Sequence, residues 1–450
     1  MKRRDILKSV SLAAPVILIG ACNTKVEEAA TVESGLMIPR VGSLDISQIR
    51  VVDTHVHPPR PVTLSESYKM WNSSFVDAMM PTYEYEGKAA LREKLDSTFM
   101  QQIYNMPRQT GYNNYIARVY GVAPEIAEID GVVRAGIDRG FTNYITEILD
   151  RENISAVVFE KRDPTPERPD GPIPNGRFVW SSPIVDLIQP QWATERGLTS
   201  IEAVSTAIAD HLVACVANGC SGFKSSVAYY RPLSMNMVDK VTANAALQLL
   251  LENPPTQFVA GRPTIPDYQE TELKAAFRNY QDFLLRHIFI KAGELNTPVI
   301  IHTAVGLHPA LRFEFNNPTE LHRVFLDDDI KRVETKFVLI HTGYPYHHFV
   351  AAILSQFPNV YTDLSFYSKF PGVLEETLRA FLALAPSQKI MHGSDSNNVP
   401  EEIGYCAWNV RHVLAKVLSD YHQNYGWTLH DCEVMANNVL HENAERVFEI

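Results

Sequence analysis

The chain has 450 residues, a formal net charge of -11 at pH 7 and a sequence pI of about 5.8. Apolar residues make up 45% and charged residues 21%, which is typical of a globular protein with a large core. The acidic balance argues against a nucleic-acid partner, because phosphate contacts need clustered Lys and Arg side chains. Beyond the amino-terminal segment, no apolar run is long enough to span a bilayer.

The amino-terminal segment has the pattern of an export signal. It opens with Met-Lys-Arg-Arg, continues with an apolar stretch over residues 10–20, and reaches Cys22 in the sequence Ile-Gly-Ala-Cys. This ending resembles a bacterial lipobox, which implies cleavage after residues 1–21 and lipid on Cys22. The Arg-Arg pair also resembles a twin-arginine signal, with ordinary secretion as the alternative. We therefore expect a lipoprotein on the periplasmic side of a membrane, with residues 22–47 as its tether.

The remaining cysteines are Cys215, Cys220, Cys406 and Cys432. They form no Cys-x-x-Cys pair, which argues against a zinc ribbon or a redox motif. An exported protein can form disulfides, so a bridge between Cys215 and Cys220 is open, but buried free thiols are the expected state.

The first strong motif is Val-Val-Asp-Thr-His-Val-His at residues 51–57, followed by two prolines. Its β-branched residues predict a strand, and residues two apart in a strand lie on the same face. His55 and His57 are therefore placed to hold one metal ion. The alternative is a strand whose histidines only make hydrogen bonds.

Strand and helix patterns alternate along the rest of the chain. Strands are predicted to start near residues 51, 154, 178, 222, 299, 337, 359 and 389. Helices are predicted over 91–104, 201–218, 273–295, 374–384 and 431–448. The alternation predicts a parallel sheet covered by helices, and eight units fit a (β/α)8 TIM barrel over residues 48–450. A doubly wound open sheet is the competing interpretation.

Two insertions interrupt the pattern, over residues 58–150 after the first strand and over 227–270 after the fourth. A long excursion after a strand that carries a His-x-His motif is typical of a cap over a site. A helical subdomain packed on the outside of the barrel is the alternative for residues 58–150.

Polar side chains recur where the predicted strands end. They are His55, His57, Lys224, His302, His341 and Asp395. The carboxyl ends of the strands of a barrel meet at one mouth, which places these groups together. Imidazoles and a carboxylate suit Zn²⁺, with manganese or iron as alternatives, and such an ion lowers the pKa of coordinated water to about 7. Asp395 is then expected to bind the metal and to act as general base, with His302 or His341 on the metal or the substrate carbonyl.

Other residues near these strand ends have weaker assignments. Lys224 is interpreted as a carbamylated bridge between two ions, as a free ammonium that binds a substrate anion, or as a rim salt bridge. Arg231 is a candidate clamp for a substrate carboxylate, with a solvated surface position as the alternative. His347 is a candidate substrate contact or a polar loop residue, whereas Asp363 and His392 are expected to be structural.

The assembled motifs resemble the amidohydrolase superfamily, and within it the amidohydrolase-related (amidohydrolase 2) group. They are Asp-Thr-His-Val-His at 53–57, Gly-Phe-Lys-Ser at 222–225, Ile-His-Thr at 301–303, His-Thr-Gly-Tyr-Pro at 341–345, Asn-Val-Tyr-Thr-Asp-Leu-Ser at 359–365 and Gly-Ser-Asp at 393–395. Residues 297–412 are also similar to the amidohydrolase-like domain of nodulin/glutamine-synthetase-like proteins. The resemblance implies a (β/α)8 fold and a metal held by His55, His57, His302 and Asp395, with His341 nearby. It implies one ion, or two if Lys224 is carbamylated.

The function expected from these residues is metal-dependent hydrolysis of an amide or ester bond in a small molecule. A metal-dependent decarboxylase or other lyase that acts on an organic acid is the alternative, since fold and ligands do not separate the two. A lipoprotein that binds a ligand without turnover is a third hypothesis. Serine-hydrolase, NTPase and dinucleotide motifs are absent from fitting contexts. The sequence leaves a homo-oligomeric state open.

Overall fold

The computed structural model describes residues 44–450, apart from 82, 260, 261 and 310. The predicted signal peptide, the lipidation site and most of the predicted tether lie outside the described residues. Among the residues that are described, no helix is both long and apolar enough to cross a membrane. Cys215, Cys220, Cys406 and Cys432 are free and buried.

The predicted strands are all present. They are β1 (Val51–Pro59), β2 (Ile154–Glu160), β3 (Phe178–Pro183), β4 (Cys220–Ser225), β5 (Val299–His302), β6 (Phe337–Ile340), β7 (Val360–Asp363), β8 (Ile390–Met391) and β9 (Ser396–Asn398). They pair in parallel in the order β8-β7-β6-β5-β4-β3-β2-β1-β9. A separate hairpin joins Phe258–Val259 to Arg262–Pro266 within the second insertion. The predicted (β/α)8 architecture is confirmed.

The eighth barrel strand is interrupted, which sequence patterning did not predict. Its first half, β8, pairs with β7, and its second half, β9, pairs with β1. The ladder is therefore open between the two halves, at residues 392–395. Backbone hydrogen bonds from Thr54 N to His392 O (3.1 Å) and from Asp395 N to His55 O (2.8 Å) bridge this opening. The barrel is closed by irregular backbone, and that backbone carries Asp395.

Helices cover the outside of the barrel. They are α1 (Leu64–Met79), α2 (Lys88–Tyr104), α3 (Pro107–Tyr120), α4 (Ile126–Asp138), α5 (Phe141–Arg151), α6 (Pro190–Glu195), α7 (Ile201–Ala217), α8 (Lys240–Glu252), α9 (Thr271–Glu294), α10 (His322–Phe325), α11 (Asp328–Arg332), α12 (His347–Gln356), α13 (Pro371–Leu384), α14 (Glu401–Tyr425), α15 (Leu429–Asn437) and α16 (Asn443–Phe448). The first insertion consists of α1 to α5, and α3 and α5 pack against α14. The helix predicted over 431–448 is present as continuous helical backbone, with a π-helical turn at Asn438–Glu442 between α15 and α16.

Two apolar clusters hold the barrel together. The outer one lies between sheet and helices and includes Val51, Val157 and Phe337. The inner one fills the barrel with Val52, Val158, Ile300, Val338, Ile340 and Met391, and it packs against Ala444, Val447 and Phe448 of α16. Alternation along each strand sends neighbouring residues to opposite clusters. The filled interior and α16 leave the opposite end of the barrel, where the strands end, as the place for polar groups.

Candidate metal centre

The histidines of β1 and Asp395 meet at the mouth of the barrel. His57 Nε2 lies 3.1 Å from Asp395 Oδ1, and His55 Nε2 lies 3.5 Å from the same oxygen. The pairing of β1 with β2 shifts between Asp53 and Val56, where β1 is irregular. Val51 and Val56 both pack in the outer cluster although they are five residues apart, which shows that the strand changes face there. The irregularity lets His55 and His57 point into the mouth.

The donor atoms of His55, His57 and Asp395 fit a divalent ion. One ligand atom from each lies within 4.8 Å of the other two. Ligands about 2.1 Å from a tetrahedral ion are about 3.4 Å apart, which is close to the separations found here. His57 and Asp395 side chains are partly exposed, 25% and 15%, whereas His55 is 2% exposed. The group is thus open to solvent and substrate on one side.

The ionisation states of these groups also suit a metal. Burial lowers the pKa of His55 well below its usual value, and the nearby Lys224 ammonium lowers it further. Burial raises the pKa of Asp395, but His341 and His57 outweigh that effect and hold it well below the usual range. A neutral imidazole and an ionised carboxylate therefore coexist at neutral pH, which is the state that metal binding requires.

Glu160, at the carboxyl end of β2, is a site residue that the sequence analysis missed. Its Oε2 lies 2.6 Å from Lys224 Nζ, 3.4 Å from His55 Nε2 and 3.9 Å from His57 Nδ1. Burial raises the pKa of Glu160, but Lys224 and His57 outweigh it and lower the pKa below its usual value. Glu160 directly follows the apolar run at residues 157–159, so it carries the same sequence signal as the other residues at strand ends.

Lys224 forms an ion pair with Glu160. The lysine side chain is 3% exposed, and its Nζ also lies 3.3 Å from His55 Nε2. A carbamylated lysine is an anion and would face the Glu160 carboxylate with like charge, whereas the ammonium is matched by it. Carbamylation of Lys224, and with it the choice between one ion and two, stays a prediction.

His341 lies beside this group and is oriented by β7. Its Nδ1 is 2.8 Å from Ser365 Oγ, and Ser365 Oγ donates to Asp363 Oδ1 at 2.6 Å. Because the serine proton goes to Asp363, Nδ1 of His341 must donate, so Nε2 carries the lone pair. Burial lowers the pKa of His341 to about 4 and raises that of Asp363 to about 6. The structural role expected for Asp363 agrees with these contacts.

His302 is near, but it is not one of the three convergent groups. Its ring centroid lies 4.8 Å from that of His341 and 4.5 Å from that of Tyr229. His341 in turn lies 5.3 Å from His55, ring to ring. The assignment of His302 as a metal ligand stays a prediction, and the geometry places it as a neighbour of His341.

The backbone at the mouth is strained and is held in place by hydrogen bonds. His341 and Asp395 have φ values of +65° and +53°, a region that costs a non-glycine residue about 1 kcal/mol or more. Lys369 Nζ donates to Asp395 O at 2.7 Å, and Asp363 Oδ1 accepts from His341 N at 2.9 Å. A Cβ at Gly393 would lie 2.9 Å from Asp363 Oδ2, so only glycine fits there. These contacts fix where the Asp395 and His341 side chains point.

Arg231 and His347 are not brought to the convergent group. The Arg231 guanidinium is buried and bound by Asp282 Oδ1 at 2.5 Å and by Gln281 Oε1 at 3.3 Å. These contacts give Arg231 a structural role after β4, and its assignment as a substrate clamp stays a prediction. His347, at the start of α12, contacts His348 and Glu376, and its assignment as a substrate contact is likewise untested.

Comparisons with known proteins bear on the family and the fold. A family model described as Amidohydrolase matches residues 266–450. Protein fluG of Emericella nidulans is 27% identical over 290 residues, which cover 62% of this chain and 30% of that protein. The chain therefore spans less than a third of the length of this relative. The similarity to nodulin-like fusion proteins stays a prediction.

Solved structures share the fold over most of the chain. A protein of Lactobacillus casei described as a metal-dependent hydrolase is 18% identical, with a TM-score of 0.65 over 90% of this chain and 96% of that one. Uronate isomerase of Thermotoga maritima is 13% identical, with a TM-score of 0.62 over 89% and 95%. Glucuronate isomerase of Caulobacter crescentus is 11% identical, with a TM-score of 0.60 over 90% and 92%. Residues 266–450 thus match the amidohydrolase family model, and the chain as a whole shares its barrel fold with these solved structures.

Proposed function

We propose that this protein is a metal-dependent hydrolase that cleaves an amide or ester bond of a small molecule. The observation that carries the proposal is the convergence of His55 Nε2, His57 Nε2 and Asp395 Oδ1 at the open mouth of the barrel. A divalent ion held by these three residues supplies Lewis acidity, which polarises a carbonyl group and makes water more acidic. The donor set suits Zn²⁺, and the Lys224–Glu160 ion pair supports a single ion.

Asp395 is the proton carrier in this proposal. Its pKa is held well below the usual range, so the carboxylate is free to accept a proton from the attacking water. It then returns that proton to the departing nitrogen or oxygen. Its carbonyl oxygen is bound by Lys369 and its amide by His55 O, so the side chain keeps its direction during the reaction.

Lys224 and His341 act on the substrate in this proposal. The Lys224 ammonium, beside His55, stabilises negative charge that develops on the carbonyl oxygen. His341 is neutral at pH 7 and presents an unprotonated Nε2, which accepts a hydrogen bond from the substrate or the water. Glu160 holds Lys224 in place through their ion pair.

The test is isotope incorporation by the purified full-length protein with its metal retained. The protein is incubated with a panel of small amides and esters in water labelled with oxygen-18. The acid product of hydrolysis should carry one oxygen-18 atom. Asp395→Asn should abolish the incorporation, and Glu433→Gln, an exposed carboxylate on α15, should not change it. Aromatic acids and uronates are included as separate arms. Carbon dioxide release or sugar-acid isomerisation, with no labelled acid from any amide or ester, would overturn the proposal.

We also propose that the protein is exported and anchored through lipid on Cys22. The basic start, the apolar stretch and the Ile-Gly-Ala-Cys ending support this assignment. Labelled fatty acid should be incorporated into the protein in bacterial cells and lost in Cys22→Ser. Recovery of the unlabelled, uncleaved chain in the cytosol would contradict it.

A further inference from the structure

A second group of histidine and carboxylate side chains lies between α12 and α13. His347 and His348 begin α12, and Glu376 belongs to the second turn of α13. His347 Nε2 is 3.4 Å from Glu376 Oε1, and the two imidazole centroids are 4.4 Å apart. One ligand atom from each of the three residues lies within 4.8 Å of the others. We call these three residues the rim group.

The buried member of the rim group, His347, has only the 3.4 Å contact with Glu376 as an ion pair within the described part of the chain. The His347 side chain is 4% exposed and stacks on Tyr344 at 5.4 Å, ring to ring. Among the described residues, neither of its ring nitrogens makes a hydrogen bond of good geometry. A buried polar atom without such a bond costs free energy, and a metal ion is one way to recover it.

The electrostatics of the rim group favour a cation. The imidazole of His347 is buried at this position, and a neutral imidazole offers one ring nitrogen with a free lone pair to an ion. His348 and Glu376 are exposed, and they are free to move the short distance that coordination requires. Two imidazoles and one carboxylate, with solvent for the remaining position, are a donor set that zinc and similar ions take.

We propose that His347, His348 and Glu376 bind a divalent transition-metal ion, with Zn²⁺ as the best match, at a site separate from the barrel mouth. The ion would join the start of α12 to α13. The same loop carries His341 six residues before His347, so occupancy would also hold the segment that follows β6. The site is structural in this proposal, and no reaction takes place there.

The experiment is a Zn²⁺ titration of the full-length, metal-stripped protein with a chromophoric competitor. Wild type should bind two equivalents, His348→Ala and Glu376→Gln one equivalent each, and His430→Ala, a matched exposed histidine on α15, two. His57→Ala should lose the other equivalent, and His57→Ala with His348→Ala should bind none. Both rim substitutions are at exposed positions, so folding is not at risk.

Thermal unfolding gives a second readout. Added Zn²⁺ should raise the melting temperature of His57→Ala, and this shift should disappear when His348→Ala is added. If His348→Ala binds as many equivalents as wild type, or the shift persists in the double variant, the rim site is overturned. This conclusion does not depend on the mouth, whose own failure would appear as an unchanged stoichiometry in His57→Ala.

Discussion

The mouth and the rim group contain the same ligand types, two histidines and one carboxylate, in very different settings. At the mouth the ligands stand on strand ends, and backbone hydrogen bonds connect His55 to Asp395. In the rim group, two of the three ligands lie on exposed helix surfaces and only His347 is buried. A pre-organised site loses less side-chain entropy on binding. The mouth should therefore bind its ion more tightly, and the rim group should respond to metal concentration.

The mouth and the rim group also differ in the charged side chains around them. Around the mouth, a buried lysine, a second carboxylate and a third histidine surround the ligands, namely Lys224, Glu160 and His341. The rim group has no charged neighbour of this kind among its described contacts beyond its own Glu376. Such crowding of titratable groups in one cleft is a feature of reactive sites. The two groups have the same ligand types. Their surroundings differ, and this difference favours catalysis at the mouth and a structural role for the rim group.

The largest expected effect is at Asp395. Asp395→Asn removes the anionic ligand and the proton acceptor together, and we expect kcat/KM to fall at least about a thousandfold, roughly 4 kcal/mol in barrier height. Kinetics on the best substrate of the amide and ester panel, with Glu433→Gln as control, measure it. Activity within tenfold of wild type would remove the mouth from the mechanism.

Glu160→Gln tests the ion pair beside the ligands. It leaves the buried Lys224 ammonium without its carboxylate, and we expect the free energy of unfolding to fall by about 3 kcal/mol in urea. Adding Lys224→Met should restore most of the loss, which a double-mutant cycle measures. Glu376→Gln, compared with wild type in chelator, should change stability by less than about 0.5 kcal/mol because that carboxylate is exposed. Equal losses of unfolding free energy in Glu160→Gln and Glu376→Gln would contradict the difference in burial between the mouth and the rim group.

We also expect His392, in the interrupted eighth strand, to make the stability of the fold sensitive to acid. Burial lowers the pKa of His392, in the opening between β8 and β9, from 6.5 to about 3. The unfolded chain therefore takes up this proton first, so stability is complete above pH 6.5 and is lost as the pH falls towards 3. Between pH 7 and pH 5 this group should cost about 2 kcal/mol.

His392→Leu, of similar volume, measures that contribution. The variant should lose about 2 kcal/mol less than wild type over the same pH interval in urea unfolding. Parallel stability curves for the two proteins would show that His392 does not titrate as its burial implies.

The smallest expected effect is at Ser365. Ser365→Ala removes the hydrogen bond that fixes the His341 tautomer, and we expect a five- to tenfold loss in kcat/KM, about 1 kcal/mol. Ser355→Ala, an exposed serine on α12, is the matched control. A larger loss in the control than in Ser365→Ala would contradict the orienting role.

The fold was largely predictable from the sequence, because most of its elements are encoded by patterns of neighbouring residues. Most barrel strands, such as β1, β2, β5 and β6, are apolar runs rich in β-branched residues between helical segments, so the sequence pattern locates them. The long helix α14 was not predicted, and neither was the π-helical turn inside the helix expected over 431–448. The interruption of the eighth strand was also hidden, because it depends on pairing with β1, which is far away in the chain.

For the candidate site as well, some features follow from the sequence and others only from the folded chain. Amino-acid order by itself predicted a site from polar side chains that directly follow strands, because a barrel brings strand ends together. They are His55, His57, Lys224, His302, His341 and Asp395. The tertiary structure decided which atoms converge, and it placed His302 beside His341 instead of in the group of three. It also paired Lys224 with Glu160 and Arg231 with Asp282. Charge pairing depends on distances between residues remote in sequence, and only the folded chain sets those distances.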